Sequence, residues 1–244
     1  MTRPALLAQL TTTLPALAIA APLVAITAAS AAAQLPPATD DQRAAGAMVA
    51  EVRFGSEELL GASVERRARL GIGYLAQEPS VFRRLTVEEN VLAILETLKL
   101  PKAAQRERLE ELLGELGLSQ LRDNKAYSLS GGERRRLEIT RALVQRPKFM
   151  LLDEPFAGID PIAVHDIQDI VGTLKQRGIG VIISDHNVEQ TLEIVDRAYI
   201  MYEGRIRVSG TVSELVWNDE VAEIYLGPTL TARMRARYPE PAGV

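Results

Sequence analysis

The 244-residue chain contains no cysteine, which excludes disulfides, thiolate metal sites and a cysteine nucleophile, and fits a reducing compartment. Its histidines are two, His165 and His186, too few for a His-rich metal centre. Net charge is also scarce: 28 Lys+Arg against 32 Asp+Glu leave −4, so nothing electrostatic points to nucleic acid as the main partner. Charge is missing locally too, with none between Pro4 and Thr39 and no lysine before Lys99. What is present, 47% hydrophobic and 25% charged residues, excludes disorder, collagen and a polytopic membrane protein. The length suits one domain with a sizeable core, or one domain plus an appendage.

The uncharged segment is a different kind of sequence. From Leu14 to Ala33 it reads LPALAIAAPLVAITAASAAA, about long enough to cross a ~30 Å hydrocarbon core as helix. Ala dominates it, however, and Pro15 and Pro22 interrupt it. Arg3, the apolar stretch Leu14 to Ile26 and the small residues Ala28-Ala29-Ser30-Ala31 also fit a secretory signal. A third reading is an Ala-rich leader with no role in the fold. Residues 1–45 are therefore set apart as a leader, disordered or helical. Globular texture begins near Val49, where Val49, Glu51, Val52 and Phe54 alternate before a Gly55-Ser56 turn, the pattern of a short strand and hairpin.

Ile72 to Leu75, between glycines, reads as a strand that ends at Gln77-Glu78-Pro79. Thr86 and Glu89 form a capping box, and Val87, Val91, Leu92, Leu95 and Leu98 space out as one apolar helical face. A second helix is expected from about Ala103 to Leu116, its charge run Arg106 to Glu111 being a solvated face. Phe149 to Leu152 and Ile179 to Ile183 are almost wholly apolar, as strands buried on both faces of a parallel sheet are. Between them Pro161 to Arg177 has helical period, with Ile162, Ile167, Ile170, Val171 and Leu174 as its inner face. Strand, helix, strand makes a βαβ unit. Ala198 to Tyr202, a Glu203-Gly204 turn and Ile206 to Ser209 read as an antiparallel hairpin. The tail, 228–244, carries Arg233, Arg235, Arg237 and prolines, and is expected to be poorly ordered.

Four features carry chemistry. Leu129-Ser130-Gly131-Gly132-Glu133 opens a helix, Glu133 to Val144, with Arg134, Arg135 and Arg136 in its first turn. A Ser and two glycines at a helix start can leave N–H groups free to bind a phosphate; they can equally be an N-cap and a turn. Asp153 and Glu154 stand at the carboxyl end of an apolar strand, where open α/β sheets bind ligands. There Asp153 can hold a Mg²⁺ hydration shell and Glu154 can polarise a water. Asp160 reads as an N-cap ahead of Pro161. His186 ends the next apolar strand, and Gln77, after the earlier one, converges on the same edge.

Gln77, Leu129 to Glu133, Asp153-Glu154, Gly158 to Asp160 and His186, in this order and spacing, resemble the nucleotide-binding subunit of ATP-binding cassette transporters. The resemblance covers about Val49 to Gly227. It implies an α/β fold of P-loop NTPase type with a mostly parallel sheet, an ATPase domain over 46–227, and a helical subdomain at about 86–145 that packs on membrane partners. It makes Gln77 the Q-loop glutamine and Ser130 to Gly132 the signature that contacts ATP held by a second subunit. Asp153 becomes the Walker B aspartate, Glu154 the general base, Asp160 the D-loop acid and His186 the switch histidine. ATP and Mg²⁺ are the implied cofactors, with Gln77 and Asp153 on the metal. Narrower runs, Gly71 to Gln77, Phe82 to Leu85, Gly131 to Arg136, Asp153 to Gly158 and Asp185 to Val188, look like the ATPase of bacterial lipopolysaccharide export. Branched-chain amino-acid ATPases are the nearest competitor, and Pro155-Phe156-Ala157-Gly158 favours export. The implied assembly is a homodimer under two transmembrane permease subunits, cytoplasmic and peripheral on the inner face of the inner membrane. Such a translocase handles lipopolysaccharide indirectly and binds no nucleic acid. A DNA-repair ATPase is disfavoured because no coiled coil separates Gln77 from Ser130.

One family feature is absent: no G-x-x-x-x-G-K-[ST] occurs. The resemblance places that phosphate loop about forty residues before Gly71, where the chain reads Ala28-Ala29-Ser30-Ala31-Ala32-Ala33. The first 50 positions also lack an aromatic residue to stack on adenine. Three readings follow. A reading-frame or gene-model change replaces the true N-terminal region, which is the preferred one because a full downstream set is otherwise idle. Alternatively the chain is a non-hydrolysing variant that serves as an interaction module, or it is membrane-targeted.

Overall fold

Apolar runs with helix-breaking residues at both ends make the strands, and their pairing puts the sequence-distant acids along one edge. A computed structural model describes residues 23–27, 53–54, 56–59, 61–202 and 205–241. The rest of the leader, Val49 to Val52, Gly55 and the Glu203-Gly204 turn lie outside them. In chain order the strands and helices are β1 (Leu23–Thr27), β2 (Arg53–Phe54), β3 (Glu57–Glu58), α1 (Val64–Arg69) and β4 (Ile72–Leu75). There follow α2 (Val87–Leu95), α3 (Lys102–Glu115), α4 (Gly131–Leu143), β5 (Phe149–Asp153), α5 (Pro161–Gln176) and β6 (Gly180–Asp185). The chain continues through α6 (Val188–Leu192), β7 (Arg197–Tyr202), β8 (Arg205–Thr211) and α7 (Val212–Val216). After one helical turn at Asp219–Val221 it reaches α8 (Gly227–Arg237).

Among the described residues one sheet has the order β4-β5-β6-β1-β7-β8, and β2 pairs with β3 separately as a short hairpin. β4, β5 and β6 are parallel, with Leu75 opposite Leu152 and Asp153 opposite Ser184. Their carboxyl ends therefore line up. β7 and β8 form the expected antiparallel hairpin.

The α/β class and the βαβ unit β5-α5-β6 match the sequence reading. Thr86 and Glu89 form the expected capping box on α2, and Val87, Val91 and Leu95 on α2 join Leu109, Leu112 and Leu113 on α3 in the core. Asn90, fully buried, accepts from the Phe82 amide at 2.8 Å and donates to the Phe82 and Thr86 carbonyls. A polar side chain can be buried there because every bond that it gives up to water is replaced. The loop that leaves the β4 end is thereby tied to α2.

Three readings are corrected. Leu23–Thr27, set within a disordered or helical leader, is a strand between β6 and β7; an apolar run with β-branched Val24, Ile26 and Thr27 suits an interior strand. Ile162, assigned to the inner face of α5, is 85% exposed, and Val164 takes the buried place. Phase itself sets Ile162 apart: at about 100° per residue it stands about 200° from Val164 and about 140° from Ile167, on the other side of the helix. The tail, expected to be poorly ordered, contains α8, with Thr231 and Met234 buried. Its arginines pair with acids of other elements: Arg233 with Glu189, Arg237 with Glu193 at 3.1 Å and Arg235 with Asp219 at 3.1 Å. No helix among the described residues is long and apolar enough to cross a membrane.

Candidate functional site

Asp153 closes β5. Its Oδ1 accepts from the Ser184 hydroxyl at 2.6 Å and its Oδ2 from the Tyr74 hydroxyl at 3.2 Å. Burial, then the Asp153 charge, push the Tyr74 phenol above its ordinary range, so it stays a donor. Glu154 follows with φ +44°, in the left-handed region, a conformation that costs a residue with a side chain about 1 kcal/mol. That turn swings the carboxylate across the sheet edge. Gln77 Nε2 donates to Glu154 Oε2 at 2.8 Å, and His186 Nδ1 lies 3.6 Å from Glu154 Oε1. The structure thus brings together Gln77, Asp153, Glu154 and His186, from the ends of three neighbouring strands. Beneath them Asp185 is 1% exposed on its side chain. Burial raises its carboxyl above the usual range, opposed by the Asn187 and Phe156 amides, which donate to it at 2.7 and 3.3 Å.

The Ser130 segment lies elsewhere on the surface. Ser130 caps α4: its Oγ accepts from the Glu133 amide at 3.3 Å, and Glu133 Oε2 accepts from the Ser130 amide at 2.8 Å. Those bonds hold the Glu133 carboxyl below its ordinary range. The glycines are required by packing. A Cβ on Gly132 would meet Ala163 Cβ at 2.6 Å, and one on Gly131 the Gly158 carbonyl at 3.1 Å. Asp160, at the start of α5, accepts from the Ile162 and Ala163 amides at 3.0 and 3.1 Å, as an N-cap does. Ser130, Gly131 and Asp160 are exposed around the buried Gly132, with no hydrogen bond to Gln77, Glu154 or His186 among the described residues. Replacing Gly132 by Ala is expected to cost about 1–3 kcal/mol through overpacking, read as a lowered urea midpoint; an unchanged midpoint contradicts the close approach.

Three contributors escaped the sequence reading. Tyr74 and Ser184 hold Asp153 from adjoining strands, and Arg135 sits under the site. Its side chain is 7% exposed, paired with Glu138 at 3.1 Å. Its Nη1 also reaches the Ala76 carbonyl at 2.7 Å, Nη2 the Asp153 and Glu154 carbonyls at 2.8 and 3.0 Å, and Nε the Pro155 carbonyl at 3.3 Å. The signal that could have found it is phase: Arg135 stands three residues after Gly132 and four before Ile139, on the inner face of α4.

The donor set fits a hard cation. Both Asp153 oxygens accept from neutral hydroxyls, so no cationic side chain competes in those bonds, and Gln77, which donates through Nε2, keeps its Oε1 for a ligand. The phosphate side is different. β1 is antiparallel to β6, with Leu23 opposite Asp185 and Thr27 opposite Val181. The strand thus ends at the far edge of the sheet from Glu154, and residues 28–33 lie outside the described residues.

The ABC transporter family model matches residues 42–157. The lipopolysaccharide export system ATP-binding protein of Acidithiobacillus ferridurans is 56% identical over 164 residues, covering 67% of this chain and 68% of that protein. Its Haemophilus influenzae counterpart is 51% identical over 178 residues, covering 72% and 74%. An ATP-binding cassette of an ABC transporter in its ADP conformation superposes with TM-score 0.62 at 32% identity, covering 73% of this chain and 77% of that one. The chain belongs to the ABC transporter ATP-binding family. Within that family, the particular members that it is similar to include these lipopolysaccharide export ATP-binding proteins.

Proposed function

We propose that this chain is the ATP-hydrolysing subunit of a transporter that extracts lipopolysaccharide from the inner membrane, working as a homodimer beneath two transmembrane subunits. The observation that carries the reading is Glu154, aimed by its left-handed backbone and gripped by Gln77 beside His186. A carboxylate so placed at the carboxyl edge of a parallel sheet can take the proton of an attacking water. Gln77 orients it, and His186, exposed on the same edge, is placed to face the terminal phosphate. Asp153 and Gln77 would hold Mg²⁺, which when bound neutralises charge on the phosphates. Ser130, Gly131 and Asp160, exposed around the buried Gly132, would face the nucleotide of the second subunit. The similarity to lipopolysaccharide export proteins supports the cargo.

The chain itself has no phosphate loop, so the test replaces residues 1–52 by a segment that supplies a strand in the place of β1 between β6 and β7 and carries G-x-x-x-x-G-K-[ST] ahead of β2. The expected result is magnesium-dependent ATP turnover that rises when transmembrane subunits of a lipopolysaccharide exporter are co-reconstituted. A folded replacement that binds MgATP and shows no turnover overturns the reading.

A further inference from the structure

We infer that Arg135 is a positioning residue: its guanidinium holds Glu154 in the left-handed backbone conformation and locks α4 to the Gln77 segment. An arginine side chain has five N–H bonds to donate and no acceptor. Here five acceptors surround it: the carbonyls of Ala76, Asp153, Glu154 and Pro155, and the Glu138 carboxylate. Three of the four carbonyls are consecutive and bracket the residue with φ +44°. Consecutive carbonyls converge on one point only when the backbone between them turns sharply, so the cation rewards the conformation that Glu154 adopts. A second bond works in the same sense, from the Glu154 amide to the Ser184 carbonyl at 2.7 Å. The fourth carbonyl, Ala76, precedes Gln77 directly. Beyond it, the Glu138 carboxylate that pairs with Arg135 also accepts from the Ser80 amide at 2.7 Å. One buried pair on α4 therefore meets both segments that carry the Gln77–Glu154 contact. A lysine cannot replace it: an ammonium offers three donors in a compact cluster, without the planar fork that spans separated carbonyls.

The functional meaning rests on Glu154 acting as the base, but the geometry is tested without nucleotide, by hydrogen exchange at the amides of Ser80, Glu154, Phe156 and Ala157 in the full chain. In Arg135→Lys these amides are expected to exchange at least tenfold faster, while those of Leu109 to Leu113 on α3 keep their protection. Removing one partner of a buried pair can unfold a protein; Arg135→Met/Glu138→Met leaves no buried charge and is expected to give the same local loss at Glu154, Phe156 and Ala157. Glycine tolerates positive φ, so adding Glu154→Gly to Arg135→Lys is expected to restore protection at Phe156 and Ala157. Wild-type protection in folded Arg135→Lys or in the double methionine variant overturns the proposal, as does failure of the glycine to rescue. Absence of ATP turnover in the loop-restored protein would instead sink the base assignment and leave this result standing.

Discussion

Glu154→Gln, in a protein with a restored phosphate loop, is expected to lower ATP turnover at least a hundredfold, within the range of about 10²–10⁴ that a general base contributes. The substitution is close to isosteric and keeps an oxygen for the Gln77 amide, which now donates to Glu154 Oε2 at 2.8 Å. The local fold and the Asp153 carboxylate, held by Tyr74 and Ser184, should survive it. MgATP affinity should therefore stay within a few fold of the unsubstituted protein. A fall in turnover with affinity unchanged identifies a loss confined to the transition state. Unimpaired turnover refutes the base assignment, whereas loss of both turnover and binding means that Glu154 mainly holds the site together.

MgATP should bind this chain, without its loop, roughly a thousandfold more weakly than the loop-restored protein. The argument is electrostatic. A phosphate loop supplies a lysine and a nest of N–H groups, and each charge-assisted hydrogen bond contributes about 1.5–3 kcal/mol. Two of them lost amount to about 3–6 kcal/mol, and a thousandfold corresponds to about 4 kcal/mol, within that range. No lysine precedes Lys99, and β1, antiparallel to β6, runs away from the edge that carries Glu154. Isothermal titration with a non-hydrolysable ATP analogue and Mg²⁺ distinguishes the two proteins. Micromolar affinity in this chain contradicts the electrostatic argument from the missing phosphate loop.

Much of the site was legible because its placement follows from local rules. An apolar run such as Phe149 to Leu152 is a buried strand, and acids directly after it stand at a carboxyl edge wherever the strand sits in the sheet. The capping box at Thr86 and the caps at Ser130 and Asp160 were likewise legible, since a side chain that bonds an amide two or three residues ahead needs no distant partner. The glycines of the Ser130 segment were legible as glycines and not as packing residues, because Ala163, the atom that excludes a larger side chain, is remote in sequence. Ile162 was misassigned against its own phase: two residues before Val164 and five before Ile167, it falls on the other side of the helix.

The sequence by itself determined the α/β alternation, the ends of the helices, and the carboxylates, glutamine and histidine that gather at the strand ends, since each depends on residues within a few positions. It also determined the lack of a phosphate loop, which is a matter of composition. Only the tertiary structure decided that Glu154 turns into the left-handed region, that Arg135 is buried with every donor engaged, that the arginines of the tail dock as α8, and that Leu23–Thr27 pairs antiparallel to β6. A strand's direction, a buried charge and a docked helix are each stable only against partners tens of residues away. Local periodicity carries no record of those partners.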